Sequence, residues 1–121
     1  MKKRLTKSKK WNNQFSFQKI HSNVKPSLFG FPIFLHKRFF KKRKKFLKFL
    51  DNEGIETRPI ISGNFLNQPS TKLYKLNKKN EKFPEAQKVE NLGFFIGLHT
   101  KSIKRKTLNQ LVNILLKINI V

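Results

Sequence analysis

Residues Gly54 to Phe65 set the strongest limit on how this chain can fold. Gly54 follows an amphipathic stretch and suits the left-handed turn that closes a helix. The run that follows, through Thr57, Ile60 and Ile61, is rich in β-branched residues, as a strand is. Ser62-Gly63-Asn64 is then a turn signal. A helix, a strand and a loop therefore meet within a dozen residues, and the fold must mix α and β. Arg58 stands inside the strand signal. It is either a solvated arginine on a polar face or a planar fork able to hold phosphate or carboxylate through two parallel hydrogen bonds.

The rest of the chain supplies partners for that unit. Phe15, Phe17 and Ile20 alternate nearly as a short strand does, and Ser22 to Ser27, with Pro26, reads as a connector. Leu28 to Leu35 is a second strand. Its Pro32 predicts an edge position or a bulge, and Gly30 allows close approach of another backbone or a ligand. From Lys37 to Asn52 the spacing turns helical, with Phe39, Phe46, Leu47 and Leu50 on one side. Lys41, Lys42, Arg43, Lys44, Lys45 and Lys48 fill most of the remainder, either as a solvated face or as a binder of phosphates. Thr57 to Ile61 is close enough along the chain to pair antiparallel with Leu28 to Leu35. Lys75 to Lys82 reads as a solvent loop. Pro84 opens a short helix that Gly93 ends, and Phe94 to Leu98 is a fourth strand leading to His99. Lys104 to Ile118 is a final helix buried through Leu108, Leu111, Val112, Leu115 and Leu116, with Ser102 or Lys104 at its start.

At 121 residues there is room for one small domain. Its expected division is a basic flexible lead-in, 1–14, and a domain, 15–121. The 28 lysines and arginines against 6 acids give a net charge of +22, which ordinarily points to nucleic acid or an acidic surface. With 37% hydrophobic residues the domain should be marginal and lean on something larger. Cysteine is absent, which excludes disulfides, thiolate catalysis and cysteine-held metals. His21, His36 and His99 stand alone in sequence, so no metal site is expected. No apolar run nears the roughly 20 residues of a membrane helix, and Trp11-Asn12-Asn13-Gln14 follows the basic start where a signal peptide would be apolar. A cytoplasmic protein is expected. There is no glycine-rich phosphate loop, no nucleophile elbow and no recognisable carboxylate pair.

The stretch from Gly54 to Phe65, together with Val24-Lys25-Pro26-Ser27-Leu28-Phe29-Gly30-Phe31-Pro32 and Gly93-Phe94-Phe95-Ile96-Gly97-Leu98-His99, resembles the carboxy-terminal region of the DegT/DnrJ/EryC1/StrS family. The resemblance runs from about Phe15 to Lys117. It is closest to the lipopolysaccharide-biosynthesis dehydrases acting on CDP-4-keto-6-deoxyglucose. It implies an α+β fold, the small carboxy-terminal domain of an aminotransferase-like (fold type I) enzyme, with a short, mostly antiparallel sheet and helices on one side. The family works with pyridoxal or pyridoxamine phosphate as an electron sink. The catalytic lysine or histidine and most cofactor contacts belong to a large domain preceding the matched region, so no catalytic residue is assigned within this chain.

What the resemblance implies for this chain is one wall of a substrate cleft in a fragment or split enzyme. Phe29 matches a position facing cofactor and substrate, histidine in many aminotransferases and phenylalanine in the dehydrase branch; otherwise it is a core ring. Leu28 stands where that branch usually has tryptophan. Arg58, Asn64 and His99 become candidate contacts, with turn capping the alternative for Asn64 and a plain surface position the alternative for His99. The expected partners are a nucleotide-diphosphate sugar, a separately encoded large domain and, from the family's habit, a second copy. The rival readings are a small RNA-binding or ribosome-associated protein using Lys41 to Lys45, and a non-functional gene remnant.

Overall fold

The computed structural model describes residues 1–74 and 82–121. Its centre is a pair of antiparallel strands, β2 (Gly30–Leu35) and β4 (Gly93–Gly97). Both strands alternate in burial because successive side chains point to opposite faces. Ile33 lies opposite Phe94 and Phe31 opposite Ile96, so these four share one face, whereas Pro32 and Phe95 pair on the other. β1 (Phe15–Phe17) joins the outside of β2 with Phe15 against Leu35, and β3 (Thr57–Arg58) joins the outside of β4. The sheet order is β1-β2-β4-β3, antiparallel throughout.

β3 therefore pairs with β4 and not with β2, as proximity along the chain had suggested. β4 fills the inner edge of β2 from Gly30 to Phe34, and β1 takes part of the other edge. The expectation that Pro32 marks an edge holds locally. β1 ends opposite Ile33, so the Gly30–Pro32 end of β2 has a strand on one side only.

Helices cover the Ile33–Phe94 face. α2 (Arg43–Asn52) continues a 3-10 turn over Lys37–Lys42, so the predicted helix is present in two pieces. His36 starts the turn, its Nδ1 accepting from Arg38 N at 3.3 Å. Gly54, at φ +75°, ends α2. Its N–H donates to Asp51 O at 2.9 Å, and Ile55 N donates to Leu50 O at 2.8 Å, the paired bonds of a Schellman motif. α5 (Arg105–Leu115) and a 3-10 turn, Leu116–Asn119, add Val112, Leu115, Leu116 and Ile118 to the core. Lys104 precedes α5 without a side-chain cap. Phe46 sits at the centre, about 6 Å between ring centroids from Phe15, Phe49 and Phe94. Each such fully buried side chain contributes about 1.5–3 kcal/mol.

The first fourteen residues, expected as a basic flexible lead-in, make contacts with the rest of the structure. α1 (Lys2–Thr6) puts Leu5 into the core with none of its surface exposed. Arg4 Nη1 donates to Asn109 Oδ1 at 2.8 Å, tying α1 to α5. Gln14 is buried, accepting from Asn12 N and donating to Lys10 O, both at 2.7 Å. One buried leucine and a few such bonds suffice to fold a charged segment onto a partner that offers an apolar slot.

α3 (Ser70–Leu73) is a single turn. α4 (Pro84–Leu92) opens on proline with Glu85 in its first turn, buries Leu92 and runs straight into Gly93. Of the expected solvent loop, Lys75 to Glu81 lie outside the described residues.

Candidate functional site

α1, α2 and α5 lie on the Ile33–Phe94 face of the sheet and α4 touches β2 and β4, while the surface over Pro32 and Phe95 is left as a groove. A groove of about 310 Å³ runs over it, lined by Leu28, Phe29, Gly30, Pro32, Ile60, Ile61 and Phe95, with Gln18 and Ser27 as its polar members. The groove follows from the sequence locally. Pro59 and the turn at Ser62 and Gly63 (φ +65° and +54°) swing Ile60 and Ile61 out of β3 toward it. Gly30 carries no Cβ where one would run into the Phe95 ring. That absence lets the Phe95 ring sit close over Gly30.

Phe29 is 71% exposed. Its ring meets Phe95 edge-on, at 5.3 Å between centroids and 78° between planes. Its carbonyl accepts from Leu98 N at 3.1 Å, which fixes the entry into β2. It is a surface ring and not a core one. Arg58 pairs directly with Phe95 in the β3–β4 register, and directly opposed residues share a face, so it borders the same surface. Its Nε and Nη2 both reach Glu56 Oε1 at 2.8 Å, with most of both side chains in water.

The other two candidates lie elsewhere. Asn64 is buried, its Oδ1 accepting from Leu66 N at 3.2 Å to cap the 3-10 turn Phe65–Asn67. Its Nδ2 donates to Gln87 Oε1 at 2.9 Å, and its backbone N–H to Glu90 Oε2 at 2.8 Å. These bonds moor the loop to α4. His99 lies beyond the end of β4, with Nδ1 accepting from Lys101 N at 3.1 Å. It borders a separate cleft with Met1, Phe31, Ile96 and Leu108, on the helix side of the sheet.

Phe95, Ile60 and Glu56 are the site residues that sequence reasoning missed. The signal for Phe95 was available, since it alternates with Phe94 and Ile96 and must face away from the core that takes them. Arg43 is a strut near this region. Its Nη2 donates to Gly93 O at 2.9 Å, its Nε is buried without a partner, and burial pulls its guanidinium below its ordinary pKa.

No lysine lines the groove, and its walls are apolar with two neutral polar side chains, so they hold no cradle for a cofactor phosphate. The described residues do not fit pyridoxal phosphate by themselves. Among them no cluster of histidines and carboxylates could hold a metal ion, and no helix is long and apolar enough to cross a membrane.

One face of the sheet is closed by the core helices, and the other carries an apolar groove over Pro32 and Phe95. Residues 4–116 match the DegT/DnrJ/EryC1/StrS aminotransferase family, and the chain belongs to it. That family is aminotransferase-like and generally pyridoxal-phosphate-dependent. A relative from Yersinia pseudotuberculosis, named GDP-4-keto-6-deoxy-D-mannose 3-dehydratase, is 35% identical over 92 residues, 75% of this chain and 23% of that protein. The lipopolysaccharide biosynthesis protein RfbH of Salmonella typhimurium is 35% identical over 74 residues, 61% of this chain and 17% of the relative. A second GDP-4-keto-6-deoxy-D-mannose 3-dehydratase, from Escherichia coli O55:H7, is 33% identical over 73 residues, 60% of this chain and 19% of the relative. The chain spans about a fifth of the length of these proteins.

Proposed function

We propose that this chain is the small carboxy-terminal domain of a nucleotide-sugar 3-dehydratase or aminotransferase of lipopolysaccharide deoxysugar biosynthesis, dependent on pyridoxamine or pyridoxal phosphate. Its open sheet face forms one wall of the substrate cleft. The observation that carries this reading is the groove over Phe29, Pro32, Ile60 and Phe95, bordered by Arg58, on the face that α1, α2 and α5 leave bare. An apolar wall with one cation at its edge suits the face of a sugar ring and the charge of a diphosphate. Phe29 is the proposed ring contact and Arg58 the anion contact. Asn64 shapes the loop beside them, and His99 is assigned no contact.

The names of two relatives carry a GDP-linked mannose derivative, and a substrate of that class, a keto-deoxysugar on a nucleoside diphosphate, is proposed for this chain. A large domain, encoded in the same or a separate polypeptide, would supply the cofactor site, and a cytoplasmic homodimer is the assembly that goes with it. The test is reconstitution. A large domain of the Yersinia relative, cut before the matched region, is mixed with this chain, the cofactor and the relative's keto-sugar substrate. Loss of the 3-hydroxyl on mixing, above the rate of the large domain alone, is the expected result. Failure to form a complex or to raise that rate would leave a free-standing protein or a gene remnant in its place.

A further inference from the structure

All six acidic residues of the chain fall between Asp51 and Glu90. The first fifty residues hold sixteen lysines and arginines and no acid. Two groups of those cations stand at the surface. On α2, Lys44, Lys45 and Lys48 are exposed, opposite the buried Phe46 and Leu50, and Lys41 precedes them by one turn at spacings of three and four. A second cationic segment, Lys7 to Lys10, leads into a loop held against the start of the same 3-10 turn. There His36 N donates to Gln14 O at 2.8 Å and the Arg38 guanidinium donates to Asn12 O. The ion pairs among the described residues are Arg58–Glu56, Lys88–Glu85 and Lys117–Glu53, and none of them involves this side of the molecule.

We propose that this face, the solvent side of α2 together with the anchored Lys7–Lys10 segment, binds the phosphodiester backbone of nucleic acid. Several exposed lysines on one helix, with Asp51 the single acidic residue of α2 beside them, release counterions on meeting a polyphosphate, which is the main source of sequence-independent affinity. The apolar stripe of α2 is spent in the core, so the helix has nothing to embed in a bilayer. Phe40, half exposed beside Lys41, offers a stacking surface for one base and far too little apolar area for membrane insertion.

The test is fluorescence anisotropy of the 121-residue chain with a labelled oligothymidylate and with a DNA duplex, across about 50 to 200 mM KCl. Reversal of Lys41, Lys44, Lys45 and Lys48 to Glu is compared with reversal of Lys25, Lys101, Lys104 and Lys106, which changes net charge equally. Circular dichroism verifies folding. The first set is expected to weaken binding about 100-fold and to lower the log–log salt slope by about 3, and the second set to change affinity less than about 5-fold. Should the α2 set unfold, Lys7, Lys9 and Lys10 changed to Gln must lower the slope by about 2. Equal loss in both four-lysine sets would reduce the effect to bulk charge and overturn the proposal. So would an unchanged slope, or binding to phosphatidylserine vesicles without binding to either nucleic acid.

Discussion

Arg58 and Asn64 show how differently two polar residues of one short stretch can be used. The Arg58–Glu56 pair lies mostly in water, and an exposed pair contributes about 0–1 kcal/mol. Arg58→Ala should therefore shift the urea midpoint very little while lowering the rate of the reconstituted enzyme at least about tenfold, the cost of a charge-assisted contact. A large loss of stability with unchanged rate would make Arg58 structural. Asn64 is the reverse case. Removing its carboxamide strips the cap from the turn and leaves Gln87 Oε1 with Asn67 Nδ2 as its donor, a cost of about 1–2 kcal/mol, most of it the lost cap. Urea unfolding of Asn64→Ala checks it, and a midpoint within error of the parent would contradict the capping role.

Among the elements, β2, β4, α2, α4 and α5 were legible because each carries its own period or punctuation. Gly54 closed α2 as its position implied, and at φ +75° with open space around its Cα, Gly54→Ala should cost about 1–2 kcal/mol through backbone strain alone. A denaturation midpoint unchanged in that variant would contradict the Schellman assignment. α1 was not legible. Two apolar residues among the first ten give no period, and burial of Leu5 depends on a slot formed by elements more than a hundred residues away, α5 among them. Leu5→Ala should cost about 2–5 kcal/mol, where an unstructured tail would give nothing. Pairing order was equally hidden, because β4 enters between β2 and β3 from late in the chain. Half of the site was legible for a related reason. Arg58 reaches the face of Phe95 through register, and Phe29, which the register alone would put in phase with Phe31, reaches it from just ahead of the strand, whereas His99 would share the phase of Phe95 only if β4 continued beyond Gly97. The strand ends at Gly97, one residue before Leu98 N bonds Phe29 O in the same register, and His99 lies past both.

For the whole molecule, two features dominate: like charge and an unfinished surface. A net charge of +22 on a chain this small opposes compaction, and salt screens that repulsion. The melting temperature should rise by several degrees between about 20 and 300 mM NaCl, read by calorimetry; a flat or falling trend would mean that local pairs govern stability instead. The groove face carries the proposed function, in which a large domain covers the Phe29 ring that here stands in water. Phe29 and Phe95 report on that directly through hydroxyl-radical footprinting, with Phe40 on the 3-10 turn as the comparison ring. In the isolated chain Phe29 should oxidise readily, and on adding the family's large domain Phe29 and Phe95 should become protected while Phe40 does not. Phe29 oxidising as fast in the mixture as alone would contradict the claim that this face is built to close on another domain.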